Sequence, residues 1–149
     1  IATPPRDTQE RDAGYRRILS AAGEAQLKNS VLLTLALAAY FSNGDGNNPA
    51  RRLFQKFKGE PTESRIYNVV ADVWHFIVLV GLNSGMPGSW GFLTQDRGLV
   101  GCWASLRPRD FYVEAGHPGC TLTVDKSLFP SLSVARLQQL KQDCKFVIS

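Results

Sequence analysis

Arg51, Arg52, Lys56 and Lys58 fall within residues 49–58, a stretch that contains no carboxylate. Their four charges match the formal excess of +4 carried by the whole chain, so the net positive charge has one address. A concentrated basic surface attracts phosphates, anionic lipid heads or acidic partners. In the same stretch Ala50, Leu53, Phe54 and Phe57 recur at i, i+3, i+4, i+7, which predicts a helix whose aromatics face the core. Arg51, Gln55 and Lys58 then lie on one outer flank and Arg52 with Lys56 on the other. Burying the phenylalanines removes the base-stacking platforms of single-strand recognition and leaves phosphate contact with little sequence discrimination. Arg16, Arg17 and Arg65 would widen this surface, although Asp7, Glu10 and Asp12 stand near the first two and offer them local ion pairs.

A second constellation is Arg65, Asn68, Asp72 and His75, spaced three, four and three apart as a polar stripe opposite an Ile66/Val70/Val73/Ile77 face. A carboxylate one turn from an imidazole favours the charged or correctly oriented histidine, as a general base or phosphate-binding residue requires. The plainer reading is the solvated side of an amphipathic helix. Cys102, with His117 further on, carries the elements of a cysteine nucleophile and its base. Gly101-Cys102-Trp103 resembles the cysteine neighbourhood of some papain-like proteases over three residues, without that family's long Cys-to-His separation. The alternative is a buried, inert thiol.

Asp45-Gly46-Asn47-Asn48 with Arg51 resembles the Asp-Gly-Asn-Cys and following Arg of ovarian-tumour deubiquitinases. Asn48 stands where the nucleophile would be, so that route to catalysis is absent. Asn43, Asp45 and Asn47 start like a calcium loop, but Asn48 replaces the required glycine and Phe54 the closing glutamate. The glycine-rich run 81–91 holds neither GxxxxGKS/GxxxxGKT nor GxGxxG, so no nucleotide cofactor is expected. Three widely spaced cysteines and two histidines make a structural zinc site an unexpected reading, and reduced thiols in an intracellular setting the expected one. The longest apolar run, 31–41, contains Thr34 and is too short to span a bilayer, so no membrane association is expected. Ile1 at the first position reads as a processed chain or a segment of a longer one.

The elements that must position these residues follow from periodicity. Apolar stripes predict helices near 8–28, 31–42, 49–58 and 63–81, with Asn48-Pro49 as a capped start for the third. Six glycines between 81 and 101 read as turn and hairpin chemistry. Strands are expected over 90–94, 99–106, 111–114, 121–124 and 145–148, with 95–98 joining the first two and a late helix over 133–142. The expected fold is α+β in one domain over 1–149: about four N-terminal helices, then a small, mainly antiparallel sheet, with 1–7 a loose tail.

These readings favour a non-enzymatic nucleic-acid-binding domain, RNA ahead of DNA, that touches phosphates through Arg51, Arg52, Lys56 and Lys58 and assembles into a nucleoprotein. One alternative is a metal-independent, ribonuclease-like hydrolase. It would use His117 or Asp72/His75 as acid or base and Arg107, Arg109 or Lys126 to steady the phosphorane. The other is a structural subunit whose patch meets an acidic protein, with self-association as part of that role.

Overall fold

The structure is a computed structural model that describes residues 8–27, 31–42, 45–54, 62–144 and 147–148. It is α+β and mostly helical: α1 (Thr8–Glu24), α2 (Val31–Tyr40), α3 (Pro49–Phe54), α4 (Glu63–Gly85), α5 (Arg97–Leu106), β1 (Pro108–Glu114), β2 (His117–Val124), α6 (Val134–Cys144) and β3 (Val147–Ile148).

Local chemistry sets several boundaries. α1 stops at Glu24, before the expected 28, because Gln26 takes a left-handed φ of 56°. Its N–H and that of Leu27 then turn back onto the carbonyls of Gly23 and Ala22, closing the helix. α2 is apolar almost all round and forms the centre of the core, with Leu33, Leu35, Leu37 and Ala38 buried. Tyr15 and Ala22 of α1 pack on that core. α3 starts as its sequence dictates: Asn48 Oδ1 accepts the Arg51 N–H at 3.1 Å while Pro49 opens the first turn.

The region after residue 81 departs furthest from expectation. α4 does not end there; it runs to Gly85, and Ser84 Oγ bonds both Val80 O and Gly119 O. Residues 90–94 form no regular strand. Asn83 Nδ2 donates to Trp90 O and Asn83 Oδ1 accepts the Trp90 N–H, so this stretch is pinned to the helix end.

The expected strand 99–106 is helix α5. Asp96, assigned from the sequence to a hairpin turn, is its N-cap and accepts the Leu99 N–H at 3.0 Å. Leu99, Cys102 and Leu106 bury one side at helical spacing. Gly98 and Gly101 serve to bring α5 against α3, and do not mark turns: a β-carbon on Gly101 would lie 2.8 Å from Pro49 Cβ. Phe76 of α4 stacks on Trp103 of α5, ring centroids 5.5 Å apart.

β1 and β2 pair antiparallel from Pro108↔Leu122 to Glu114↔His117. Ala115 and Gly116, both at positive φ, make the tight turn between them. The ladder is irregular between Arg109 and Tyr112, where Asp110 also has positive φ. β3 adds to the end of β2 in parallel, Thr123↔Val147 and Val124↔Ile148. α6 is tied to α1: Tyr15 Oη donates to Asp143, Arg136 Nη2 pairs with Asp12 at 2.6 Å, and the Arg136 guanidinium lies 4.5 Å from the Tyr15 ring centroid.

α4 packs on the β1/β2 hairpin, α2 and α5. The buried stripe is Val69, Val73, Phe76, Leu79 and Val80. Of the face expected to be buried, only Val73 is; Ile66, Val70 and Ile77 point outward, joined by Tyr67, Trp74 and Val78. The apolar arc of α4 is therefore wider than its neighbours cover. By length and composition α4 would also suffice to cross a membrane, although Asp72 and His75 interrupt its apolar sequence.

Candidate nucleic-acid interface

The basic cluster is only partly within the described residues: Lys56 and Lys58 lie outside them. On α3, Ala50 and Leu53 are buried and Phe54 packs against the core, which turns Arg52 out to solvent and leaves Arg51 half-buried. Arg52 has a structural task that the sequence did not reveal. Its Nε donates to Gly46 O at 2.9 Å and its Nη2 to Asn47 Oδ1 at 3.0 Å, so the guanidinium clamps the loop that leads into its own helix. Asn48 reaches the other way: its buried Nδ2 donates to Leu128 O at 2.9 Å and fixes the start of α3 to the segment after β2.

The α3–α5 contact supplies a cation the sequence reading overlooked. Gly98 sits so close that an added β-carbon would lie 3.5 Å from both Arg52 Cβ and the Leu53 nitrogen. Arg97, the first residue of α5 and exposed, is the chain neighbour of this contact. The signal was present in Asp96-Arg97-Gly98-Leu99, which is an N-cap followed by a helical first turn. Asp96 brings one carboxylate into this neighbourhood, engaged in capping α5.

Arg16 and Arg17 are exposed on α1, which packs on α2 and is linked to α6, whereas α3 packs on α2 and α5. Arg65 occupies the first turn of α4, where its backbone N–H meets the Thr62 cap. The cations thus come from separate elements.

The groups suggested for catalysis are also dispersed. His75 is exposed and Asp72 half-buried on α4, while His117 opens β2 opposite Glu114. Cys102 is buried in α5, where desolvation, aided by Asp96, pushes its thiol up to about 12; it stays protonated near neutral pH. Arg107 is engaged by Asp125 at 2.7 Å, and Arg109 lies 3.9 Å from Asp110. Lys126 is exposed in a 3-10 turn, Lys126–Leu128. Among the described residues, no three His, Cys, Asp or Glu gather as metal ligands. No family model, curated protein or solved structure matches this chain.

Proposed function

We propose that the chain is a non-enzymatic nucleic-acid-binding subunit, RNA ahead of DNA, that holds the phosphate backbone through the α3 cations. The observation that carries this reading is the close seating of α5 on α3 at Gly98, against Arg52, with the exposed Arg97 the next residue along the chain, which supports a basic surface extending beyond its own segment. Lys56 and Lys58 belong to the same surface by sequence. Phe54, the aromatic of α3, packs against the core, which favours affinity from charge with little base discrimination. The hydrolase alternative draws less support, because Asp72 and His75 share α4 while its candidate cations stand on other elements, with Arg107 paired to Asp125 and Arg109 near Asp110.

Titration of a labelled single-stranded RNA at several salt concentrations tests the proposal. Four phosphate contacts by Arg51, Arg52, Lys56 and Lys58 give a log–log slope of about −2.8, at roughly 0.7 per contact. A Lys56→Glu/Lys58→Glu variant should lose most of the binding without touching the Arg52 clamp. A flat salt response, or unchanged binding by that variant, overturns the reading.

A further inference from the structure

We propose that the outward face of α4 is where two copies of this chain pair, helix against helix, about a two-fold axis near Trp74. Trp74 is 59% exposed and Tyr67 72% exposed, and Ile66, Val70, Ile77 and Val78 are exposed beside them. Tyr67, Val70, Trp74, Ile77 and Gly81 are spaced three, four, three and four apart, the seam by which one helix meets another. The adjoining stripe, Val69, Val73, Phe76, Leu79 and Val80, already serves the chain's own core. α4 therefore carries two apolar faces, and one lacks a covering layer among the described residues.

Area and charge argue for a second copy as the occupant. Ile77 also lines a groove of about 280 Å³ with Tyr112 and Leu122, so the apolar surface continues from α4 onto the hairpin. From the fractional exposures, those six α4 side chains and Tyr112 present roughly 800 Å², which is about what each partner contributes to a standard interface and more than the largest patch on a typical monomer. The charged Asp, Glu, Lys and Arg residues of α4 are Glu63, Arg65 and Asp72, so no single-sign field repels an identical helix. Helices that lie on anionic membranes carry Lys and Arg along the polar face, which α4 lacks. In an antiparallel pair centred on Trp74, Val70 faces Val78 of the other copy and Tyr67 faces Gly81. Such an isologous contact closes on itself as a dimer.

Analytical ultracentrifugation of the full chain tests this, after nuclease treatment and a high-salt wash so that bound nucleic acid cannot bridge copies. A concentration-dependent dimer is expected. Trp74→Ala should weaken it roughly 30-fold, as for a central aromatic anchor. Val70→Asp should abolish it, and Val100→Asp, an exposed site on α5, should leave it intact. All three sites being exposed, circular dichroism should stay native. A monomer at every concentration, a dimer indifferent to Trp74→Ala and Val70→Asp, or a monomer that uses these residues to float with lipid vesicles would each overturn the proposal. RNA binding is measured on the same samples, so failure of the dimer and failure of phosphate binding are read separately.

Discussion

Gly101 of α5 faces Pro49 of α3 with no room for a side chain: an added β-carbon would sit 2.8 Å from the proline Cβ. The proline ring is rigid and cannot swing aside. Gly101→Ala gains up to about 1 kcal/mol of helix propensity but meets an overpacking cost of about 1–3 kcal/mol. A net loss is expected, larger for Gly101→Val, with the denaturant midpoint as the measurement. A midpoint that rises for both variants would mean that α3 and α5 are not held at this separation.

Asn48 holds two places at once. Its Oδ1 caps α3 and its Nδ2 satisfies the Leu128 carbonyl, and the residue is buried. Asn48→Ala removes a cap worth about 1 kcal/mol and strands a buried acceptor at about 1–3 kcal/mol, so a total loss of about 2–4 kcal/mol is expected. Asn48→Asp keeps the cap but sets a buried carboxylate against the Leu128 carbonyl. Equilibrium unfolding should place it no more stable than the alanine variant at neutral pH.

Arg52 separates two roles by chemistry. Arg52→Lys keeps the positive charge but cannot fork between Gly46 O and Asn47 Oδ1. Both Arg52→Lys and Arg52→Ala should therefore lose about 0.5–1.5 kcal/mol of stability. RNA affinity should fall for alanine and largely survive in lysine. Equal affinity for the two variants would remove Arg52 from the binding surface.

Asp125 sets an acid limb. Hydrogen bonds from Ser127, with the Arg107 guanidinium nearby, hold its carboxyl below the ordinary carboxylate value. A depressed folded pKa contributes stability that is present above the unfolded pKa and lost as pH falls through the folded one. The melting temperature of Asp125→Asn should trail the wild type at neutral pH. The gap should close below the carboxylate range, and a gap that widens in acid would contradict the assignment.

Thiol chemistry offers a direct check on packing. Burial pushes Cys102 and Cys144 up to about 12 and Cys120 up to about 11. A thiolate-selective reagent should label the native chain slowly, Cys120 first because it is half-buried, and all three promptly in denaturant. Fast native labelling of Cys102 would show that α5 opens.

The sequence by itself determined what depends on near neighbours. Asn48-Pro49 announced a capped helix, the spacing of Ala50, Leu53 and Phe54 named core positions of α3, and the concentration of cations was visible before any fold. The α+β class followed from the change in pattern along the chain. Short apolar runs between glycines were misread at 99–106, because a glycine that breaks a helix and one that lets two helices touch look alike until the partner, here Pro49, is in place. Only the tertiary structure decided which half of the broad apolar arc of α4 is covered. Periodicity defines an apolar face, but α2, α5 and the β1/β2 hairpin select Val69, Val73, Phe76, Leu79 and Val80 and leave Trp74 outside. Only the fold, likewise, brings Gly98 against Arg52 from far along the sequence, since long-range packing, unlike capping or periodicity, has no local signature.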